Sequence, residues 1–518
     1  MPEAPPWSTA LLAGAPIAIL LATMLGLRWS AARAGVAGLF LTLPLAWVAF
    51  GYGRTVLPEL GPLLATGGAL AEAVFVAATI VWILFPALCI HELQQRSGAL
   101  EVLRASMARL SSDPRITVLL VAWFFVLFVE GAAGFGTSVA LAAPFLVAAG
   151  YGRVEAVTIA LVGHAAGVSF GAVGTPVLPQ MAATGFGGRE IAGATAAYHS
   201  LAGWTLPLIA MLMVTRTLSP AQRAGRAIWA WTLGAAAASL LPHHLIAVWI
   251  GPELPTLGGS LIGGLAFVGA LRVAGARRRV LAVTDAAGTA PGGLAWAAAP
   301  YLALVGAVLA TRLLPGVGEV ARQVAVAWQV GPFDGRFEVL YHPGTMLLIA
   351  LAVGAWVQRA GASDVARAMR RSALQLVPVA VALIAMLSIS RLMVHAGMID
   401  ALAVAAAATA GGAWPAFAPF VGMLGTFVTG SATASNILFT DFQFATAQRL
   451  GLDPLPLIGA QGFGAAVGNI VCPHNVIAAG ATVQLAGREG EVLRRTLGVA
   501  LAYAALGGVA ALLFARGA

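Results

Sequence analysis

The sequence predicts an all-α polytopic membrane protein with 12–14 transmembrane helices and two repeats that carry broken helices or re-entrant hairpins. Sixty percent of the 518 residues are hydrophobic and 9% are charged, whereas a soluble domain usually has about 25% charged residues. Apolar runs of about 18 residues or more, long enough to cross a bilayer, recur along the whole chain. Two of these runs end in clusters of small polar residues at matching places in the sequence.

Fourteen apolar segments are candidates for membrane spans, and their weak boundaries set the predicted range. The polar stretches between them do not exceed roughly 30 residues, so we expect one transmembrane domain over residues 1–518 and no soluble domain. Arginine accumulates in alternate loops, the positive-inside pattern, which places the N-terminus outside the cytoplasm. The segments are 9–27, 35–51, 69–90, 116–129, 154–170, 191–214, 228–250, 257–271, 294–314, 344–357, 373–394, 414–429, 455–471 and 496–515.

The net charge of +9 does not predict nucleic-acid binding, because all 29 basic residues are arginine and lie mainly in the connecting loops. The lack of lysine excludes a Walker A loop, so transport must be driven by a gradient or by a partner subunit. The Gly-x-x-Gly-x-Gly pattern at 131–136 follows no strand and does not predict a dinucleotide site. The two cysteines have no metal-ligand spacing, and no nucleophile–base pattern is present. We therefore expect no enzyme, no cofactor and no metal site.

An internal repeat is visible, with cores at about 116–215 and about 413–515. Gly131 and Gly430 are separated by the same number of residues as Gly163 and Gly462. Each copy contains, in order, a hydrophobic span, a break of small polar residues, a short helix, another span and a break that contains proline. We call these the hairpin break and the proline break of each repeat. Paired breaks inside apolar spans predict the binding site of a transporter.

A helix that stops at mid-membrane leaves backbone N–H groups unpaired, so the break must be buried in protein or face a wet cavity. The N-terminal end of such a half-helix favours a carboxylate. Ser and Thr at the breaks are alternatively explained by helix–helix hydrogen bonds, and Arg391 by an interfacial arginine. The substrate-binding candidates are Gly134, Gly136, Thr137 and Ser138 at the first hairpin break, Ser431, Thr433, Ser435 and Asn436 at the second, and Arg391.

The two proline breaks supply a second group of candidates. The chain has three asparagines, all within the second repeat, and in a sequence so poor in asparagine this favours a need for that side chain. His474 is a candidate for proton transfer, although a lone histidine is more often structural. The candidates are Thr175 and Pro176 in the first proline break and Asn469, Cys472, Pro473, His474 and Asn475 in the second.

Three ionisable residues are candidates for proton coupling: Glu130, His164 and Asp441. Glu130 follows seven apolar residues, and a carboxylate at membrane depth is costly enough to suggest a function. Burial favours the uncharged form of a carboxyl, which suits a proton carrier. The alternatives are a Glu130 that caps the break, a His164 that is simply buried, and an Asp441 at a solvated helix end.

At these residues the chain resembles the bacterial L-lactate permease family. Residues 130–137 are similar to that family's Glu-Gly-Ala-Ala-Gly-Phe-Gly-Thr signature, and 430–436 resemble its Gly-Ser-Asp-Thr-Ser-Ser-Asn. Residues 169–176 and 485–489 resemble two further family segments. The resemblance implies uptake of L-lactate, D-lactate or glycolate by proton symport across the bacterial inner membrane. It also implies kinship with ion transporters built from inverted repeats with re-entrant hairpins.

Three departures from the family pattern fall at the expected site. Ala432 stands where the family usually has Asp, Asn469 where Lys is expected, and His164 where Asn is usual. The rival hypothesis is a sodium-coupled carboxylate or anion transporter, since hydroxyls and free carbonyls at broken helices suit sodium. The expected partners are the small monocarboxylate, protons (or sodium) and the lipid bilayer. A homo-oligomer is compatible with the sequence, which does not fix the oligomeric state.

Overall fold

The structure is a computed structural model that describes residues 7–108, 111, 113–134, 136–217, 227–275, 293–485 and 487–516. Within these residues, 13 helical segments are long and apolar enough to cross a membrane. The prediction of an all-α polytopic membrane protein with 12–14 spans is confirmed. The expected span at 344–357 is a shorter apolar helix of 15 residues, Pro343–Val357.

The helices of the first half follow the predicted apolar segments and include several short pieces at the breaks. A π-helical turn, Leu45–Ala49, extends the second helix, and another, Leu119–Phe125, joins the fifth to the sixth. A 3-10 turn, Thr175–Val177, joins the ninth to the tenth. The helices are α1 Trp7–Gly26, α2 Ala31–Pro44, α3 Gly61–Arg96, α4 Ala99–Ala108, α5 Pro114–Val118, α6 Val126–Ala133, α7 Thr137–Ala148, α8 Arg153–Val168, α9 Gly171–Gly174, α10 Leu178–Thr184, α11 Gly188–Ala202, α12 Thr205–Thr217, α13 Ala227–Trp249 and α14 Pro255–Gly275.

The second half contains the remaining helices and one β-hairpin. A 3-10 turn, Gly411–Ala413, precedes the second repeat's first core helix. The elements are α15 Leu294–Leu313, α16 Pro315–Gln323, β1 Ala325–Val330, β2 Phe333–Glu338, α17 Pro343–Val357, α18 Ala362–His395, α19 Met398–Ala410, α20 Trp414–Thr429, α21 Ala432–Leu450, α22 Pro454–Gly468, α23 Pro473–Thr482 and α24 Glu489–Arg516.

The same succession of elements occurs twice. Before the hairpin break, α5 and α6 correspond to α20, and after it the first hairpin helix α7 corresponds to the second hairpin helix α21. The broken segment α8–α10 corresponds to the broken segment α22–α23, and α11–α12 correspond to α24. The correspondence begins earlier than the sequence pattern indicated. The long helices α3 and α18, of 36 and 34 residues, are each followed by a short helix, α4 or α19, before the hairpin.

The two hairpins enter the bundle from opposite ends. Segment α8–α10 lies in a helical stretch, Arg153–Thr184, that is long enough to cross a membrane, which places its two ends on opposite sides. At its C-terminal end, Phe186 packs edge-on against Phe444 of α21, with ring centroids 6.2 Å apart. At its N-terminal end, Arg153 donates a hydrogen bond of 3.0 Å to the carbonyl of Gln484, which follows α23. The base of the second hairpin thus lies at one end of the bundle, and the base of the first hairpin lies at the other.

The broken segments form the centre of the bundle. In α8 every residue from Ala156 to Val168 is buried, and in α22 every residue from Leu457 to Gly468 is buried. A helix that is apolar all round belongs in the core. The broken segments also pack on the opposite repeat, since α7 packs against α23 and α10 packs against α21. The four breaks are therefore brought together at the centre.

The antiparallel β-hairpin of β1 and β2 lies in the polar stretch 316–343, where the sequence indicated only a loop. Gly331 turns the chain with φ +59°, a conformation that favours glycine. Phe333, which begins β2, is 1% exposed and packs directly over Gly68 of α3, where a side chain would collide with its ring. The hairpin is thereby fixed to one of the two long helices.

Candidate functional site

The four breaks surround one cavity of about 350 Å³, a volume that includes the space at its mouth. Both hairpin breaks and both proline breaks contribute to the wall. Among the described residues that line it, Glu130 is the one with an ionisable side chain. The lining residues are Glu130, Gly134, Val168, Gly171, Ala172, Thr175, Pro176, Gly430, Ser431, Ala432, Thr433 and Asn469.

The first hairpin break depends on two glycines. Gly134 ends α6 with φ 63° and ψ −153°, a combination that is essentially restricted to glycine. Gly136 begins α7 in the left-handed conformation, and a side chain there would collide with Oδ1 of Asn475. The hydroxyl of Thr137 donates a 2.7 Å hydrogen bond to the carbonyl of Gly134 and closes the turn. Phe135, between the glycines, lies outside the described residues. The two glycines let the helix stop and restart against the opposite repeat.

Glu130 lies in the last turn of α6 and is 3% exposed. Its Oε2 accepts a 2.7 Å hydrogen bond from the hydroxyl of Ser138, the second residue of α7. Its Oε1 lies beside Gly171, where a side chain would collide with it. Oε1 accepts no hydrogen bond from another described residue. One carboxyl oxygen is thus held by the hairpin, and the other is left for the cavity.

The first proline break holds three successive residues in the left-handed region: Ala172 (φ 43°), Val173 (φ 57°) and Gly174 (φ 79°). For a non-glycine residue this conformation costs on the order of 1–2 kcal/mol. The hydroxyl of Thr175 donates a 2.6 Å hydrogen bond to the carbonyl of Ala172 and helps to hold the turn. Strained backbone of this kind persists where the surroundings determine it, and it clusters at functional sites.

The second hairpin break presents a helix N-terminus to the cavity. Gly430 ends α20 in the left-handed conformation, and the hydroxyl of Ser431 caps α21 by accepting a hydrogen bond of 3.3 Å from the N–H of Ala434. The N–H groups of Ala432 and Thr433 and the hydroxyl of Thr433 make no hydrogen bond to another described residue. Free first-turn N–H groups, aligned with the helix dipole, make a site for an anion.

At the second proline break, Asn469 ends α22 and lines the cavity. Its Oδ1 accepts a 2.7 Å hydrogen bond from Nδ2 of Asn475, whose own Oδ1 faces Gly136 of the first repeat. Cys472 and Pro473 are the capping and first residues of α23, and His474 lies against Gly430. Among the candidates of this second proline break, Asn469 lines the cavity, and the others lie behind the wall.

Two candidates on α21, Ser435 and Asn436, lie away from the cavity and make hydrogen bonds inside the protein. The hydroxyl of Ser435 donates to the carbonyl of Gly422 at 2.8 Å. Nδ2 of Asn436 donates to the carbonyl of Pro176 at 2.8 Å, and its Oδ1 accepts from Nε2 of Gln461 at 3.3 Å. These contacts favour the alternative of helix packing for both residues. Asn436 in particular joins the second hairpin to the first proline break.

Arg391, Asp441 and His164 do not line the cavity. Arg391 of α18 and Asp441 of α21 face each other, with Nη2 and Oδ2 separated by 3.6 Å. His164 is fully buried, its Nδ1 lies 2.7 Å from the carbonyl of Leu161, and its Nε2 has no partner among the described residues. Of the three candidates for proton coupling that the sequence offers, the structure brings only Glu130 to the cavity.

Sequence reasoning missed four lining residues and one buried network, and it singled out a fifth lining residue, Ala432, only as a departure from the family pattern. The missed lining residues are small or apolar, and no chemical signal marks them beyond their neighbours in the breaks; they are Val168, Gly171, Ala172 and Gly430. In the network, the hydroxyl of Ser169 donates to the carbonyl of Gly462 at 3.0 Å and lies 2.8 Å from Nε2 of His199, whose Nδ1 lies 2.9 Å from the hydroxyl of Tyr503. His199 and Tyr503 sit in ordinary apolar runs, so only tertiary contacts reveal them.

Solved structures with this architecture are transporters. The chain is similar to the YdaH transporter of Alcanivorax borkumensis, with a TM-score of 0.53 and 16% identity over 94% of this chain and 98% of that one. It is also similar to MtrF of Neisseria gonorrhoeae, with a TM-score of 0.52 and 14% identity over 92% of this chain and 94% of that one. At these identities the likeness establishes the fold alone.

Curated relatives are bacterial permeases of closely similar length. An L-lactate permease of Streptococcus iniae is 28% identical over 72% of this chain and 79% of its own. A glycolate permease of Escherichia coli K12 is 26% identical over 98% of this chain and 95% of its own. An L-lactate permease of Bacillus subtilis is 26% identical over 94% of this chain and 92% of its own. With the candidate spans, they identify the protein as a multi-pass bacterial membrane protein, a permease and not an enzyme.

The L-lactate permease family model matches residues 9–330 and 325–516, which include all four breaks and every residue that lines the cavity. The chain therefore belongs to the L-lactate permease family.

Proposed function

We propose that the protein is a secondary active transporter that carries a small monocarboxylate, such as L-lactate, D-lactate or glycolate, together with a proton across the inner membrane. The observation that supports this most strongly is the shared cavity, where a free helix N-terminus and the carboxyl of Glu130 face the same space. The names of its relatives supply the substrate class, since L-lactate and glycolate permeases align over most of the chain.

The substrate carboxylate binds at the first turn of α21. The N–H groups of Ala432 and Thr433 are the donors, and the capping hydroxyl of Ser431 lies next to them. Among the described lining residues there is no basic side chain. A single carboxylate is therefore held by backbone donors and the helix dipole, and a second carboxylate would have no partner.

The remaining wall suits a short 2-hydroxy acid. The hydroxyl of Thr433 and the amide of Asn469 offer polar groups for the substrate hydroxyl. Val168, Ala172 and Ala432 offer an apolar surface for a methyl group.

Glu130 couples the proton to the substrate. Two carboxylates in one small cavity repel each other, so the anion binds more tightly when Glu130 carries a proton. The proton and the anion then enter together without net charge. Ser138 holds Glu130 towards the cavity. His164 and Asp441 stay as further candidates, to be tested if Glu130 proves dispensable.

Uptake into proteoliposomes tests the proposal. Labelled L-lactate, D-lactate, glycolate and acetate are offered while a proton gradient and a sodium gradient are imposed separately. We expect an inward proton gradient to drive accumulation and a protonophore to abolish it. Accumulation that follows sodium alone and ignores the protonophore would replace the proton by sodium as the coupling ion. No uptake of any of these acids would overturn the substrate class.

A further inference from the structure

A second group of ionisable residues lies away from the cavity, between the second hairpin and the two long helices. Asp441 of α21 accepts a 2.8 Å hydrogen bond from the hydroxyl of Ser390 and lies 3.6 Å from Nη2 of Arg391, both on α18. One turn further along α18, Nε2 of His395 lies 2.7 Å from Oε2 of Glu72 on α3. The acids are at least nine-tenths buried, and the side chains of Arg391 and His395 are 15% and 18% exposed.

The group connects two parts of the protein that have different roles. Asp441 belongs to the helix whose first turn forms the anion end of the cavity. Arg391 and Glu72 belong to α18 and α3, which pack along each other and contribute no lining residue to the cavity. We call α3 and α18 the long-helix pair. Asp441 thus links the hairpin that is proposed to bind the substrate with the long-helix pair.

The contact is fixed firmly on the side of the long-helix pair. Oε1 of Glu72 accepts a 3.1 Å hydrogen bond from the backbone N–H of Asp334 in the β-hairpin, and Phe333 packs edge-on against His395 with ring centroids 4.9 Å apart. These contacts hold the last turn of α18. Because His395 and Arg391 are four residues apart on one helix face, holding His395 also sets the direction of Arg391.

We propose that Arg391, Ser390 and Asp441 form a conformational lock that holds the second hairpin against the long-helix pair in this state, and that Glu72 and His395 are its positioning residues. The proposal rests on the proposed transport function only because it assumes that the site is exposed to each side of the membrane in turn. Alternating access moves one bundle against another around the site. Any shift of α21 along α18 separates Asp441 from both partners, and leaving a buried charge unpaired is costly. The lock therefore biases the resting distribution between the two states.

A reporter cysteine at Ala432, which lines the cavity, tests the lock. The native cysteines, Cys89 and Cys472, are buried, so the parent protein gives the labelling background. A membrane-impermeant maleimide is applied to vesicles of each orientation, without substrate and without an ion gradient. The ratio of labelling from the two sides reports the distribution between the states. Arg391→Gln and Asp441→Asn are each expected to change this ratio about tenfold in the same direction, as loss of roughly 1.4 kcal/mol of bias would.

Further variants separate a lock from a general structural role. The double variant of Arg391→Gln and Asp441→Asn is expected to change the ratio no more than either single variant, because both break the same link. Ser390→Ala and Glu72→Gln are milder, with changes of roughly threefold, and Glu72→Gln has no further effect once Arg391 is replaced. Arg367→Gln is the matched control, since it removes an exposed ion pair with Asp364 on the same helix.

An unchanged ratio in both single variants, strictly additive changes, or an equal change in the Arg367→Gln control would overturn the lock. Size-exclusion profiles identify any variant that fails to fold, and Ser390→Ala then carries the test because it removes one hydroxyl. Labelling requires neither a proton gradient nor a known substrate. Failure of the lock is therefore distinguishable from failure of the proposed proton symport, which rests on Glu130 and on uptake.

Discussion

The two hairpin breaks share one architecture but present different chemistry to the cavity. At the first, the helix restarts at Gly136 under the side chain of Asn475, so its first turn is covered, and the hairpin's contribution is the carboxyl of Glu130 held by Ser138. At the second, the helix restarts at Ser431 with its first turn open to the cavity. In the proposed mechanism, the first repeat supplies the proton-binding group and the second repeat supplies the donors for the anion. Two breaks of similar architecture can thus differ in the groups that they present to the cavity.

The proposed difference between the two hairpin breaks is wrong if Glu130 can be replaced without loss of proton-driven accumulation. Glu130→Gln mimics the permanently protonated acid, so we expect it to abolish proton-driven accumulation and to preserve exchange of internal for external substrate. Counterflow in proteoliposomes without a gradient measures the exchange. Glu155→Gln is the control, because Glu155 lies at a helix end and pairs with Arg495 at 2.6 Å. Accumulation by Glu130→Gln equal to that of the parent would make Glu130 a cap and pass the role to Asp441 or His164.

Gly136 and Gly430, one at each hairpin break, differ in how closely the surrounding atoms pack against them. Gly136→Ala introduces both a left-handed alanine and a collision with Asn475, whereas at Gly430 the nearest atom to an added methyl is 3.4 Å away, Cβ of His474. Gly430→Ala should therefore lower the free energy of unfolding only by the cost of a left-handed alanine, on the order of 1–2 kcal/mol. Gly136→Ala should lower it by more, because the collision adds to that cost. Thermal unfolding in detergent measures both. Equal losses of stability in the two variants would show that Asn475 can move aside for a methyl group at Gly136.

The threonines at the two breaks separate binding from folding. The hydroxyl of Thr433 faces the cavity and makes no hydrogen bond to another described residue, while that of Thr137 donates to the carbonyl of Gly134. Thr433→Val is expected to raise the apparent KM roughly three- to tenfold, as loss of a hydrogen bond worth about 0.5–1.5 kcal/mol would. Thr137→Val should lower stability and leave KM close to that of the parent. The reverse pattern would move the polar contacts of the substrate to the first hairpin.

Asn436→Ala is the smallest expected effect on transport. Its amide joins α21 to the carbonyl of Pro176, so its loss should reduce the free energy of unfolding by about 1–3 kcal/mol. The apparent affinity for substrate should be unchanged in initial-rate uptake. A fall in affinity with normal stability would instead support the binding role that the local sequence suggested.

Features that depend on the local pattern of apolar and small polar residues were predictable from the sequence. The spans follow from continuous apolar runs, and the breaks from the glycine and serine clusters that interrupt them, because hydrocarbon cannot satisfy an unpaired backbone. Glu130 stood out for the same reason, as a carboxyl beside seven apolar residues. The importance of these positions follows from their place within or beside apolar runs, which is visible in the sequence itself.

Features that depend on contacts between distant segments were not predictable. Arg391 was considered as a substrate ligand, yet its nearest acid is Asp441, fifty residues away. Asn436 and Asn475 looked like site residues because they lie in breaks, and each instead contacts the opposite repeat. Ala172 and Val173 adopt the left-handed conformation although neither is a glycine, so the sequence does not indicate this turn. Backbone strain of this kind persists where the surrounding structure determines it. The β-hairpin is anchored to α3 by Phe333 over Gly68 and by the hydrogen bond from the N–H of Asp334 to Glu72, contacts between segments that are distant in the sequence.

Among the described residues of the cavity wall, Glu130 is the one ionisable side chain, and under the proposed symport this has a consequence for energetics. When the carrier is empty, Glu130 supplies one negative charge, and when it is loaded, the substrate anion supplies one while Glu130 holds the proton. The moving site then carries the same charge in both directions, so the membrane voltage, worth about 2.3 kcal/mol per charge per 100 mV, does no net work on the cycle. Accumulation at equilibrium is set by the pH difference alone, at about tenfold per pH unit.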